Sequence, residues 1–398
     1  MSAKELNEMI VEKVNSLENW MIEIRRDIHR HPEPSRSEFR TSKKVEDILK
    51  DLGVEVKTGF YNTGLTGLIR GKKKGRTLAF RFDMDALEMD EETGLDFASK
   101  NEGVMHACGH DGHTAVGLAL AKILVDFKEE INGNIKLIFQ PAEEDAPHGG
   151  GAKYMIQEGV LSDPDVSAAV GIHLWPALKL GEIGAKTGPM MAASDPITVE
   201  VTGKGAHASL PNLGIDPVVA AAQIVNNLQT IVSRNVDPFE QAVVTIGKFI
   251  GGTRYNTIPG RVNLEGTVRT FNEEVRDKVE KRIKQICEKT AEAMGASAEV
   301  DYSRGYPPTV NDEKMVNLAA RSARDILGED AFVDIDRPAP GGEDFAYFTK
   351  EIPSVYMWLG YSEEDKEIFP PHSPKYNFNE KALSYGVRVL SRIALNWR

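Results

Sequence analysis

The stretch Val104-Met-His106-Ala-Cys108-Gly109-His110-Asp111-Gly112-His113-Thr114 sets a thiol, three imidazoles and a carboxylate close together, then runs directly into an apolar segment ending at Phe127. Val116, Leu120, Ile123, Leu124 and Phe127 recur at helical spacing, which predicts a buried helix from His113 to Phe127. Cys108 and His110 can reach a common point only from a loop or extended segment, because positions i and i+2 do not face each other on a helix. Gly109 and Gly112 permit that bend. The cluster therefore opens a helix, where backbone N–H groups and the helix dipole favour a thiolate or carboxylate. It is a candidate cation site; the plain alternative is a buried cysteine beside surface histidines.

Four apolar runs elsewhere decide between these readings. Arg76–Phe82 leads into Asp83-Met-Asp85, whose carboxylates share one side of an extended chain. Asn134–Phe139 ends in Gln140-Pro-Ala-Glu143-Glu144-Asp145, Val166–Ile172 in His173-Leu-Trp175-Pro176, and Pro353–Leu359 is followed by Phe369-Pro-Pro-His372-Ser373. Each run reads as a buried strand with chemistry-bearing residues beyond its carboxyl end. In open α/β sheets, ligands gather outside the carboxyl ends of the strands, so these scattered residues can converge. Before them, residues 4–30 read as one or two amphipathic helices stopped at Pro32, with His29 and His31 as solvent-facing helix-end histidines. A helix over 37–52 closes at Gly53, a strand pair comes next at 54–57 and 65–70, and a helix over 153–159 succeeds the loop histidine His148. The glycines after His148 lack the Lys-Ser/Thr ending of a phosphate-binding loop.

Between Lys186 and Tyr306 the pattern changes to strand 196–203, helix 216–234, strands 242–249 and 261–271, helix 273–294 and strand 296–302. That βαββαβ order is the ferredoxin-like split arrangement, a small domain inserted in a larger one. The expected division is a catalytic domain of residues 1–185 and 306–398, resuming with a helix over 312–327, and an inserted domain of residues 186–305.

With 398 residues, 41% hydrophobic and 27% charged, the chain falls in the globular class. A net charge of −12 speaks against a nucleic-acid partner. Two cysteines are too few for a disulfide framework, and a reduced compartment suits a thiol ligand; Cys287 lies in a helical pattern as a packing residue. No secretory pattern or membrane-length apolar run is present, so the expectation is a cytoplasmic protein with no membrane partner.

Cys108, His110, Glu144, His173 and His372 supply one thiolate, one carboxylate and three imidazoles. Five donors exceed a single tetrahedral site, which points to a pair of ions sharing a bridging ligand. Thiolate with imidazole suits zinc, and manganese, cobalt or nickel fit as well. Glu143, next to a ligand but pointing elsewhere, is the candidate general base. Asp83 and Asp85 are placed to orient a ligand histidine or tune Glu143.

Asp83-Met-Asp-Ala-Leu87, Met105-His-Ala-Cys-Gly-His-Asp-Gly-His113, Phe139-Gln-Pro-Ala-Glu-Glu144, Gly171-Ile-His-Leu-Trp175, Gly203-Lys-Gly-Ala-His-Ala-Ser209, Asn256-Thr-Ile-Pro-Gly260 and Gly342-Glu-Asp-Phe345 resemble, in order, the M20 metallopeptidase family. The match is closest to its amidohydrolase branch, which includes aminoacylases, hippurate hydrolases, indole-acetyl-amino-acid hydrolases and N-acetyldiaminopimelate deacetylases. The resemblance implies a mixed-sheet α/β catalytic domain with two divalent metal ions per subunit, and an inserted ferredoxin-like lid and dimerisation domain, hence a homodimer or higher oligomer. Cys108, His110, Glu144, His173 and His372 match the ligands, Glu143 the base and Asp85 a supporting aspartate. His207 matches a lid histidine that stabilises the tetrahedral oxyanion in the partner subunit's site; Asn256 and Arg269 are candidates for holding the substrate carboxylate. Most peptidase branches carry histidine where Asp83 stands and aspartate where Cys108 stands, while the acidic run Glu88-Met-Asp-Glu-Glu92 departs from the usual small apolar continuation.

The implied activity is metal-dependent cleavage of the amide of a small-molecule N-acyl-L-amino acid. Within the family the alternatives are N-acetyldiaminopimelate deacetylation or hydrolysis of small dipeptides. Outside it stand a hydrolase using Cys108 as nucleophile and a noncatalytic receptor retaining the pocket.

Overall fold

In the computed structural model, which describes residues 3–364 and 366–398, the chain divides into two units. One comprises residues up to Met190 with Val310–Arg337 and Asp344–Arg398; the other comprises Met191–Thr309 with Pro338–Glu343. The larger unit is built on an eight-stranded mixed sheet in the order Glu55–Phe60, Gly64–Arg70, Asn132–Gln140, Lys73–Asp83, Val166–Lys179, Ser354–Ser362, Ile183–Ala185, Phe332–Asp334. The strands Asn132–Gln140, Lys73–Asp83, Val166–Lys179 and Ser354–Ser362 are mutually parallel. Parallel strands are covered on both faces, so they read as unbroken apolar runs. Accordingly every residue from Thr77 to Asp83 and from Ser354 to Tyr361 is buried.

Within Lys73–Asp83, Leu78, Phe80 and Phe82 enter the main hydrophobic core. Alternation sends Arg81 and Asp83 to the opposite side. Arg81 donates there to Asp83 (2.5 Å), Asp344 (2.6 Å) and Gln140 (2.8 Å), so each nitrogen of the buried guanidinium has a partner.

The helix His110–Asp126 packs on Lys73–Asp83 and against the helices Glu18–Arg30 and Lys381–Asn396. Its approach to the sheet is set by Gly117, where a Cβ would stand 2.6 Å from Phe82 Cδ2 and 2.9 Å from Phe139 Cε1. The helix starts at His110 rather than at the predicted His113, because Gly109 at φ +91° turns the chain there. Likewise the helix predicted from Lys153 begins at Gly150 and ends at Gln157. The N-terminal helices span Ala3–Ser16 and Glu18–Arg30.

His29 corrects an expectation. Instead of facing solvent it is fully buried, its Nδ1 2.8 Å from Asp111 and its Nε2 3.3 Å from Glu91. Met21, Ile24, Arg25 and Ile28 form the buried stripe of that helix, and a residue four after Arg25 continues it.

The smaller unit carries a four-stranded antiparallel sheet in the order Ala242–Gly251, Arg261–Thr270, Ala193–Thr202, Ser297–Tyr302. The helices Pro217–Thr230 and Glu273–Ala293 complete the ferredoxin-like βαββαβ order. Asp216 and Asn272 cap them by accepting from Val218 N–H (2.9 Å) and Val275 N–H (2.8 Å). Ile197, Val199 and Val201 from the sheet meet Ile224, Leu228, Val279 and Ile283 in a separate core, which also holds Cys287. Among the described residues no helix is long and apolar enough to cross a membrane.

Candidate metal centre

The donors of the larger unit meet toward the carboxyl ends of the parallel strands, with His173 lying inside the strand Val166–Lys179, which runs on past the expected end at Ile172. Cys108, His110 and His173 offer ligand atoms within 4.8 Å of one another, and so do Cys108, Glu144 and His372; a further group joins His110 to Glu143 and Glu144. Cys108 Sγ lies 3.4 Å from His173 Nε2, and His372 Nε2 lies 3.1 Å from Glu144.

Each imidazole is oriented through its other nitrogen. His110 Nδ1 donates to the Asp85 carbonyl (2.9 Å) with the Asp85 carboxylate at 3.2 Å, and His173 Nδ1 donates to the Leu174 carbonyl (2.8 Å). That leaves Nε2 as the ring position facing the cluster in both: His173 offers a lone pair there, and His110 does so once a cation displaces its proton. His113 differs, since its Nδ1 donates to Asp83 (2.6 Å) and its Nε2 accepts from Leu174 N–H (3.0 Å). With both nitrogens engaged, His113 braces the segment around His173 instead of offering a donor.

Asp85 also accepts from Glu144 N–H (2.9 Å) and from the Ser35 hydroxyl (2.7 Å), which links two strand ends and the N-terminal segment. His372 sits at φ +67°, its N–H donating to the Ala107 carbonyl (2.8 Å), so the loop that carries it is tied to the residue before Cys108. Ala142, just before Glu143, is likewise left-handed at φ +56°. Such backbone is uncommon outside glycine and collects at functional sites.

The electrostatics favour a cation. Burial pushes the Cys108 thiol up in pKa, and Glu144, Glu143 and Asp83 push it further. Burial alone would lower His110, yet Asp83 and Asp85 hold it up at about 10. Burial and then His113 keep His173 well below its ordinary value, hence neutral. His110 Nε2 is buried with no hydrogen-bond partner among the described residues. An orphaned imidazole nitrogen, a thiol that ionises only beside positive charge and several carboxylates form a donor set that fits divalent metal ions.

The remaining predicted residues lie in the smaller unit. His207, on the short strand Ala206–His207, accepts at Nδ1 from Ser209 N–H (3.2 Å) and faces Thr257 in register. Asn256 adjoins it through its carbonyl, which accepts from Ala208 N–H (3.1 Å). Arg269 stands on Arg261–Thr270 and donates to Thr267 Oγ1 (2.5 Å).

Beneath the cluster, Asp111 accepts from Arg25 Nε (2.8 Å) and His29 Nδ1 (2.8 Å), all three fully buried. Burial would raise the Asp111 carboxyl, but Arg25, His29 and His106 hold it well below the usual carboxylate range. A depressed carboxylate stabilises the fold above its unfolded pKa of about 4, and that contribution drains away as pH falls. His29 is raised, since Asp111 and Glu91 outweigh its burial. Its contribution is complete below about pH 6.5 and is lost as pH rises. Urea midpoints measured with chelator present are therefore expected to fall from about pH 4 downward. Asp111→Asn should flatten that acid limb; equal slopes in the two proteins would refute the assignment.

The model for peptidase family M20/M25/M40 matches residues 79–396. An N-acetyl-L-cysteine deacetylase of Bacillus subtilis (strain 168) is 42% identical over 372 residues, covering 93% of this chain and 86% of that protein. The IAA-amino acid hydrolase ILR1-like 4 of Arabidopsis thaliana is 38% identical, covering 97% of this chain and 87% of its own length. Among solved structures, the YXEP protein of Bacillus subtilis, a dinuclear metal binding peptidase from the M20 family, superposes with a TM-score of 0.83 at 37% identity, covering 96% of this chain and 98% of that one.

Proposed function

The chain belongs to peptidase family M20/M25/M40, and from that premise we propose that it is a metal-dependent amidohydrolase cleaving N-acyl-L-amino acids to a carboxylate and a free amino acid. The observation that carries the reading is the pair of overlapping donor groups meeting at Cys108, with Glu143 beside them. In this reading Cys108, His110, Glu144, His173 and His372 would hold two divalent ions. Zinc suits that set, and manganese, cobalt or nickel are accommodated. When bound, the ions polarise the amide carbonyl and make water in the site easier to deprotonate.

The protein supplies the proton transfers. Glu143 takes a proton from the attacking water as the new C–O bond forms, then delivers it to the amide nitrogen as the C–N bond breaks. Asp85 keeps His110 in one tautomer and, through Glu144 N–H, keeps the base and its neighbour in register. His207, accepting at Nδ1, carries its proton on Nε2 and is assigned as donor to the oxyanion developing in the partner subunit's site. Asn256 and Arg269 are assigned to the substrate carboxylate. The edge strand Ala242–Gly251, with Phe249 and Ile250 exposed, is assigned to joining two copies as a homodimer. Ligation by a free thiol also implies a reducing, cytoplasmic setting.

A cysteine nucleophile is disfavoured, because reactive thiols have lowered pKa values and burial raises that of Cys108. The deciding experiment assays N-acetyl, N-benzoyl and longer-chain acyl amino acids with zinc, manganese and cobalt in turn. Turnover is expected for at least one acyl class, abolished by chelator and restored by metal, with no acyl adduct on the protein by mass spectrometry. A protein loaded with metal yet inert across the panel would leave only a binding role.

A further inference from the structure

Glu38 opens the helix Phe39–Asp51, yet its side chain does not cap that helix. Glu33 does so instead, accepting from Arg40 N–H (2.8 Å) and Thr41 N–H (2.8 Å). Released from that task, the Glu38 carboxylate turns inward and is fully buried. One oxygen accepts from Arg36 N–H (2.9 Å) and Ala142 N–H (2.9 Å), and the other accepts from the Thr63 hydroxyl (2.6 Å). Burying a carboxylate is costly unless its hydrogen bonds are made, and here they come from three separated segments.

Of these bonds, the one to Ala142 lies next to the reaction, because Glu143 is the neighbouring residue. Ala142 is left-handed at φ +56°, a conformation costly for a residue with a Cβ unless its surroundings enforce it. Its carbonyl is held by Gly151 N–H (2.9 Å), and its N–H by Glu38. Two residues on, Glu144 N–H is held by Asp85, whose carboxylate also takes the Ser35 hydroxyl. The segment Ser35–Glu38 thus grips the strand end on both sides of Glu143.

We propose that Glu38 is a positioning residue for the reaction: by holding Ala142 N–H it keeps the left-handed turn that directs the Glu143 carboxylate to the attacking water. The inference rests on Glu143 being the general base. In it Glu38 acts by reach and hydrogen bonding and touches neither substrate nor metal.

The test compares kcat, KM and metal content for Glu38→Ala, Glu38→Asp and Glu38→Gln, with Glu143→Ala as the reference. Glu38→Ala is expected to lose about 10²-fold in kcat, the scale of a small displacement of a reacting group, with KM and metal content within about twofold of wild type. Aspartate keeps the carboxyl group but falls a methylene short of Ala142, so Glu38→Asp should be impaired too. Glutamine keeps the acceptor oxygen and can donate to Thr63 Oγ1, so Glu38→Gln should recover most of the rate even if the alanine variant does not fold. Wild-type kcat in Glu38→Asp, or a Glu38→Gln protein no better than Glu38→Asp, would overturn the proposal while a dead Glu143→Ala left the base assignment standing. An active Glu143→Ala would remove the premise itself.

Discussion

Glu143→Ala protein is expected to bind divalent metal as wild type does and to hydrolyse N-acyl amino acids about 10²–10⁴-fold more slowly, the usual worth of a positioned proton-transfer group. Retention of metal is expected from the donor groups: those meeting at Cys108 are complete without Glu143. Loss of rate is expected from its place, a carboxylate only 6% exposed directly before the donor Glu144 on a backbone turn clamped at Ala142 and Glu144. Glu143→Gln, nearly the same shape but unable to accept the proton at useful strength, should fall as far, which separates proton transfer from packing. The measurements are steady-state kcat alongside metal content by elemental analysis. Either variant turning over near the wild-type rate, with its metal present, would strip Glu143 of the role.

How much of this centre could be read from the chain depends on where each residue's partners lie. Glu144, His173 and His372 are legible because each comes after an apolar run, and parallel strands end on one edge whatever their separation in sequence, while Cys108 and His110 are legible because they open an apolar helix. The ferredoxin-like order is legible for a similar reason, since the period changes cleanly between strand and helix. Helix starts are less so: His110–Asp126 begins where Gly109 adopts φ +91°, a backbone choice that no side-chain period reports. The helix Lys381–Asn396 carried a signal in Leu383, Val387, Leu390 and Ile393 that periodicity would have found.

Glu38 and Ser35 are illegible in a different sense. Each is one polar residue in a polar stretch, and what distinguishes Glu38 is contact with Thr63 and Ala142, 25 and 104 residues away. Arg81 hides the opposite way, as a charge inside an apolar strand whose partner Asp344 lies 263 residues on. Networks closed by such distant pairs leave no periodic trace.

Cys108→Ala should have the other large effect, and it should differ in kind: loss of metal along with loss of rate. Cys108 belongs both to the donor group with His173 and to the one with His372, whereas His372 belongs to one. Removing His372 is therefore expected to weaken one ion and removing Cys108 to weaken both. Stripping the ions forfeits several kcal/mol of charge stabilisation in the transition state, about 10³-fold or more in rate. Added metal should rescue His372→Ala further than Cys108→Ala. Because the buried thiol resists ionisation, binding must expel its proton, and wild-type metal affinity should weaken steadily as pH is lowered. Cys108→Asp tests the same point from the other side: a carboxyl starts from an ordinary pKa several units below a thiol's and ionises more readily under the same burial, so it should restore metal binding in part and shift that pH dependence downward. Full metal content in Cys108→Ala would mean that the thiol is no ligand, and the two overlapping groups would then be neighbours by packing alone.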